Sequence, residues 1–124
     1  MMQPNFSSKS LRPFIGSKDF ETSRSFYCDL GFEEFVIDPK MSVFKMGEQA
    51  FYLQDYYAED WVGNTMLFLE VENVDIAYRE IEALNLPAKY EGVRLIPIKN
   101  LDWGREFFLY DPAGILWHIG EFKD

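Results

Sequence analysis

Two stretches of the chain share one pattern of apolar and polar positions, and equivalent positions lie 54 residues apart. In each, a short apolar run leads to a polar residue that can cap a helix, and apolar residues then recur every three or four positions. Asp19, or Ser17 before it, is predicted to cap the first helix, and Asn73 the second. Gly31 and Asn85 are predicted to end them in the left-handed conformation. The predicted buried faces consist of Phe20, Phe26, Tyr27 and Leu30, and of Val74, Ala77, Tyr78, Ile81 and Leu84.

Short strand-like runs follow each predicted helix, so each half reads as β-α-β-β-β. Two unrelated strand-helix pairs are the alternative, but chance rarely aligns both caps and core positions. The predicted linker between the halves is Asp55 to Asn64, and residues 1–10 form a polar, flexible leader without the apolar segment of a secretory signal. The predicted strands are Glu33–Ile37, Ser42–Met46, Ala50–Gln54, Ala88–Tyr90, Arg94–Ile98, Glu106–Tyr110 and Ile115–Gly120.

The last two of these strands flank a turn with explicit turn chemistry. Asp111 can accept hydrogen bonds from the turn backbone, Pro112 fixes its own φ, and Gly114 supplies a positive φ. The sequence therefore predicts a hairpin at the end of the chain.

Two segments carry a family resemblance: KDFETSRSFYCDLGF around the first helix and DWGREFFLYDPAG before the last strand. They resemble the bleomycin-resistance proteins of the glyoxalase/bleomycin-resistance/dioxygenase (vicinal oxygen chelate) superfamily. The resemblance covers Leu11 to Phe122. It implies an α+β fold of two tandem βαβββ modules, with curved sheets around a cavity. We expect one domain over residues 11–124, with modules at about 11–54 and 65–122 and the linker at 55–64.

The composition of the chain limits the classes of function and partner that are expected. The chain has 124 residues, 48% of them hydrophobic and 18% aromatic, so some rings are expected to line a cavity or an interface. The single Cys28 excludes an intramolecular disulfide, and no apolar run is long enough to span a membrane, which together favour a cytoplasmic protein. The net charge of −9 disfavours nucleic acid and anionic membranes as partners. It either attracts a cationic ligand or serves solubility alone.

The resemblance also implies where a metal would bind. The four ligand positions of the superfamily's enzymes fall on Arg12, on Gln54 or Tyr52, near Met66, and on His118. A cation cannot be a ligand, and a catalytic metal needs about three suitable protein ligands. We therefore predict no metal and no other cofactor, which disfavours metal-dependent lyase or dioxygenase activity.

Arg12 and His118 each leave more than one interpretation open. His118 is the only histidine, and it acts as a general base, as a hydrogen-bond donor to a ligand, or as part of the core or cavity wall. The core or cavity-wall role is favoured over catalysis, because no Ser, Cys or carboxylate lies near it in the sequence to form a relay. Arg12 either faces the cavity, where it would need a carboxylate or an anionic ligand, or lies in solvent before the first strand.

In the proteins that this chain resembles, a Trp at the position of Trp103 stacks on the bound drug at the dimer groove. Trp103 is therefore the first ligand-contact candidate, followed by Trp61 and Tyr52, with Arg12 and His118 as further candidates. The alternative is that Trp103 covers the edge of the sheet. Nearby carboxylates predicted to neutralise a cationic ligand are Asp55, Glu59, Asp60 and Asp102.

Three functions follow as hypotheses. The leading one is a metal-free homodimer that sequesters a small aromatic, cationic or neutral ligand in a groove between subunits, without catalysis. The second is a glyoxalase-like lyase with a degenerate metal site, or another enzyme of the superfamily that uses His118. The third is a scaffold or sensor whose cavity is filled by its own rings. The residues do not decide whether the modules pair within one chain or between chains.

Overall fold

The computed structural model describes residues 3–124 and shows two βαβββ modules. The first contains β1 (Phe14–Ile15), α1 (Phe20–Leu30), β2 (Glu33–Asp38), β3 (Met41–Met46) and β4 (Gln49–Gln54). A short helix, α2 (Glu59–Val62), follows. The second module contains β5 (Met66–Glu70), α3 (Val74–Ala83), a short α4 (Leu86–Lys89), β6 (Arg94–Asn100), β7 (Gly104–Tyr110) and β8 (Leu116–Phe122). None of the helices within residues 3–124 has the length and apolar character needed to cross a bilayer.

The two modules have the same sheet topology. Each forms a four-stranded sheet, in the order β1-β4-β3-β2 and β5-β8-β7-β6. The first strand of each module pairs in parallel with the last, and the remaining pairs are antiparallel. The predicted α+β fold of two tandem modules is therefore confirmed.

Both predicted helix caps are present. The Asp19 side chain accepts the Thr22 backbone N–H at 3.1 Å, and the Asn73 side chain accepts the Ile76 N–H at 3.0 Å. Gly31 (φ 117°) and Asn85 (φ 54°) both adopt the left-handed conformation after their helices. Equivalent residues thus perform equivalent local tasks in the two modules.

One predicted strand is wrong. Ala88–Tyr90 was expected to be extended, but residues 86–89 form the short helix α4. Proline is favoured in the first turn of a helix, where its missing N–H costs nothing, and Pro87 lies in that turn. Leu86 is fully buried and anchors the turn, whereas Leu84, predicted to be buried, is 38% exposed.

Each sheet has two unlike faces. One face of each sheet, which we call the helix side, packs on the helices in one core shared by both modules. Tyr27 of α1 lies 4.8 Å from Phe51 of the first sheet and 5.9 Å from Trp117 of the second, measured between ring centroids. The opposite face of each sheet, which we call the open face, points away from the helices and carries several exposed rings.

A buried hydrogen-bond network joins the modules inside this core. The Tyr27 hydroxyl donates to Asp111 Oδ2 at 2.6 Å and accepts from Trp117 Nε1 at 2.9 Å. Asp111 Oδ1 accepts the backbone N–H groups of Ala113 and Ile115, as the predicted turn requires. The same aspartate therefore shapes the β7–β8 turn and ties it to α1.

Candidate functional site

Aromatic side chains concentrate on the open face of the second sheet. Residues that lie opposite each other on neighbouring strands share a face, and Phe68, His118 and Phe108 form one such row across β5, β8 and β7. The His118 ring lies 4.7 Å from Phe108 and 6.5 Å from Phe68. Phe68 also belongs to a three-ring cluster with Trp103 and Phe122, in which the centroids are 5.2 to 5.8 Å apart.

The position of Trp103 is fixed by its backbone. Its carbonyl accepts the Lys123 N–H at 2.9 Å. The next residue, Gly104, lies so close to β8 that a Cβ atom would stand 2.1 Å from the Glu121 carbonyl oxygen. Only glycine permits this approach. Trp103 is therefore held at the edge of the open face, where it remains 38% exposed.

His118 has a carboxylate partner. Its Nδ1 lies 2.9 Å from Glu106 Oε1. Glu106 is only 8% exposed, although its side chain lies on the open face. An ionised carboxylate can only accept, so in a neutral imidazole this contact places the proton on Nδ1 and leaves Nε2 with its lone pair. The sequence argument considered only the neighbours of His118 along the chain, whereas the cross-strand register brings the Glu106 carboxylate next to it.

Gly120 makes room for this pair. A Cβ atom there would lie 2.9 Å from the Arg105 carbonyl oxygen, 3.0 Å from Glu106 Cβ and 3.3 Å from the Phe68 ring. These contacts are tighter than a normal core allows. The glycine thus lets the Glu106 side chain and the Phe68 ring both lie over β8.

The other predicted site residues belong to the first module or to the region after it. Tyr52 lies on the open face of the first sheet and stacks on Phe14 at 4.6 Å. Arg12 is half-buried just before β1, and its Nε has no hydrogen-bond partner among the described residues. Trp61 of α2 packs near Tyr56 and so close to Gly16 that a Cβ there would lie 2.7 Å from its ring. The structure therefore does not bring Trp61 into the Trp103 cluster.

The side chains at the superfamily's metal positions do not fit a divalent cation. Strand alternation puts Tyr52 and Gln54 on the same face, so register does not choose between them. Met66 is 63% exposed and offers only a thioether as a ligand. The Arg12 side chain is itself a cation and cannot coordinate a metal ion. Within residues 3–124, no three His, Cys, Asp or Glu side chains converge as a metal site would require.

Sequence reasoning missed four residues of this site: Glu106, Phe68, Phe108 and Phe122. The hairpin contained a signal for Glu106. A tight turn at residues 111–115 pairs Phe108 with His118 and places Glu106 diagonally beside it, within side-chain reach. The same hairpin register pairs Phe122 with Gly104, next to Trp103, whereas Phe68 required the parallel β5–β8 pairing, which no local pattern specifies.

Solved structures with the same architecture include proteins that bind antibiotics and an enzyme. A bleomycin-binding protein in complex with bleomycin superimposes with a TM-score of 0.78 at 19% identity, over 94% of this chain and 100% of that one. The bleomycin-binding protein of Streptomyces verticillus in complex with copper(II)-bleomycin has a TM-score of 0.76 at 25% identity, over 94% and 99% of the two chains. A lactoylglutathione lyase from Agrobacterium tumefaciens has a TM-score of 0.70 at 19% identity, over 93% and 95%.

No curated protein matches the chain. The family model described as Glyoxalase/Bleomycin resistance protein/Dioxygenase superfamily matches residues 11–119, nearly the whole length that the resemblance of the sequence covers. That match and the paired βαβββ modules agree, and this chain belongs to the glyoxalase/bleomycin resistance protein/dioxygenase superfamily.

Proposed function

We propose that this protein captures a small aromatic ligand on the open face of its second sheet and does not transform it. The observation that carries the proposal is the partly exposed cluster of Phe68, Trp103 and Phe122 beside His118. Exposed rings held at fixed positions offer stacking surfaces at little entropic cost. Similar structures with bound bleomycin support this ligand class.

We further propose that the protein is a homodimer in which the open faces form the walls of a groove. Both sheets expose large apolar side chains there, including Phe14 (49%) and Phe35 (46%) on the first sheet and Met66 and Phe68 on the second. Such surface is rare on a monomer and is typical of an interface. Burial by a second subunit would complete the groove that each sheet leaves open.

The charge of the protein favours a cationic or neutral ligand over an anionic one. The net charge is −9, and the exposed Asp102 directly precedes Trp103 in the chain. A cation that stacks on an indole gains from the ring quadrupole, and a neighbouring carboxylate adds to that attraction. Asp102 is thus the best placed of the predicted carboxylates, since Asp55, Glu59 and Asp60 lie near α2.

Titration with bleomycin, followed by tryptophan fluorescence, tests the ligand. We expect saturable quenching at one ligand per groove in the wild type, and none in Trp103→Leu. Tyr57→Leu is the control, because Tyr57 is also an exposed ring but lies between β4 and α2, outside the strands of both sheets. Absence of quenching at micromolar bleomycin would remove this drug, and quenching that persists in Trp103→Leu would remove this site.

Sedimentation velocity tests the dimer. Phe35→Glu should dissociate it, whereas Val36→Glu should not, since these neighbours on β2 point to opposite faces and Val36 is even more exposed at 63%. The test uses 50 µM protein, about the upper end of ordinary assay concentrations. A wild-type protein that is monomeric at this concentration would contradict the proposed dimer and its groove.

A catalytic role for His118 is the second candidate, and the Glu106–His118 contact is the observation that favours it. A carboxylate that fixes Nδ1–H leaves Nε2 available as a base. Formation of lactoylglutathione from methylglyoxal and glutathione, with added Zn²⁺ or Ni²⁺, is the assay. We expect no turnover above background. Turnover that is lost in His118→Gln would reverse the order of the two candidates.

A further inference from the structure

A cavity lies on the helix side of the sheets, away from both open faces. It has a volume of about 390 Å³, within the usual range for small-molecule sites. It runs between the end of α1 and the middle of α3, at the junction of the two modules. Its walls include Leu30, Met46, Leu69, Ala77, Ile81 and Trp117.

The walls of this cavity are apolar, but its rim is acidic. Two carboxylates line it, those of Asp29 and Glu80, and no cationic side chain within residues 3–124 does so. Asp29 already pairs with Lys89 at 3.1 Å and accepts the Tyr90 hydroxyl. Glu80 has no ion-pair or hydrogen-bond partner among the described residues, so its charge remains uncompensated.

We propose that this cavity binds an amphiphilic cation, a compound with an apolar aromatic or alkyl body and one ammonium group. The body would fill the space between Leu69, Ile81 and Trp117, where its burial releases water from apolar surface. The ammonium would remain at the rim beside Glu80. Met46, with its flexible thioether, can adjust to the shape of the body.

This site is separate from the proposed groove. Trp117 and Ile119 line the cavity, and on β8 they alternate with His118, so they point to the opposite side of the sheet. A dimer that covers the open faces would leave the cavity accessible. The proposal therefore stands or fails independently of the proposed function.

Phenylbutylamine is a suitable probe, with phenylbutyrate and phenylbutanol as the anionic and neutral comparisons. Binding is followed by chemical shifts of the methyl groups of the 124-residue chain. We expect phenylbutylamine to shift the methyl signals of Leu30, Leu69 and Ile81, and phenylbutyrate to bind more weakly. Equal affinity for amine and carboxylate would overturn the proposal, and so would shifts confined to the open faces.

Two pairs of variants locate the site. Ala77→Phe fills the cavity and should abolish binding, whereas Ala83→Phe, on the exposed end of the same helix, should not. Glu80→Gln should weaken amine binding about two- to fivefold, the usual worth of a solvent-exposed ion pair, and leave phenylbutanol unchanged. Glu82→Gln, also exposed on α3, is the control. Unchanged amine affinity in Glu80→Gln would refute the proposed role of its charge, even if Ala77→Phe failed to fold.

Discussion

Removal of one hydroxyl from the core should weaken the contact between the two modules. Tyr27 is fully buried, and its hydroxyl makes two buried hydrogen bonds, one to Asp111 and one from Trp117. Tyr27→Phe keeps the ring and its packing but leaves a carboxylate oxygen and an indole N–H without this partner. The variant therefore tests the network and not the volume of the core.

The magnitude follows from the two bonds. A hydrogen bond to an ionised carboxylate contributes about 2 kcal/mol, and a buried indole N–H left unpaired costs about 2 kcal/mol more. We expect the free energy of unfolding to fall by about 4 kcal/mol at pH 7.5. Burial raises the pKa of Asp111 to about 6, despite the opposing hydrogen bonds from Tyr27 and the turn backbone. At pH 5 the carboxyl is protonated, its bond to Tyr27 is neutral and weaker, and the loss should shrink by about 1 kcal/mol.

Urea denaturation followed by far-UV circular dichroism, at pH 5 and pH 7.5 and at one protein concentration, measures both values. Tyr78→Phe is the matched control, because its ring packs edge-on against Phe107 at 5.1 Å and its hydroxyl bonds to no described residue. A loss in Tyr27→Phe no larger than in Tyr78→Phe would refute the structural role of the network. A larger loss at pH 5 than at pH 7.5 would refute the ionised state assigned to Asp111.

Three further outcomes follow from single positions. Because the folded-state pKa of Asp111 is raised from 3.8 to about 6, its contribution to stability is present at low pH and is lost as pH rises through about 4 to 6, by up to about 3 kcal/mol. Asp111→Asn should remove this pH-dependent contribution from the free energy of unfolding, measured in a pH series of urea denaturations. A variant with the same pH dependence as the wild type would contradict the raised pKa of Asp111. Gly120→Ala should destabilise by about 1 to 3 kcal/mol and weaken ligand quenching of Trp103, since its methyl group would displace Glu106 or Phe68. Asn85→Ala should lower the thermal midpoint, at a cost of about 1 kcal/mol for a left-handed residue, whereas Asn85→Gly should not.

Local chemistry explains which parts of the fold could be predicted from the sequence. Asp19 and Asn73 each cap their helix through an atom three residues away, so the evidence for each cap lies in a few neighbouring letters. The β7–β8 turn is similarly self-contained around Asp111. The failed strand at Ala88–Tyr90 was only three residues long, too short for alternation to distinguish it from the helical turn that Pro87 and Leu86 favour.

The contacts that join distant parts of the chain are of another kind. Tyr27 and Asp111 are 84 residues apart, and nothing near either residue indicates the other. Tyr27 could be recognised as part of a buried helix face, but not as the partner of a turn in the other module. The Glu106–His118 pair lies between these extremes, since a correct hairpin register would have revealed it.

A few side chains on the open faces determine whether this fold is suited to binding a ligand or to metal chemistry. A metal bound in the row of Phe68, His118 and Phe108 would find one imidazole, flanked on both neighbouring strands by rings that offer no lone pair. The same flanking rings provide stacking surface for an aromatic ligand, and Trp103 and Phe122 extend it along the sheet. The rings that leave a metal without ligands in this row are thus the ones that form an aromatic wall on this face. His118, held by Glu106, is the residue that either chemistry could use, and its neighbours favour capture of a ring.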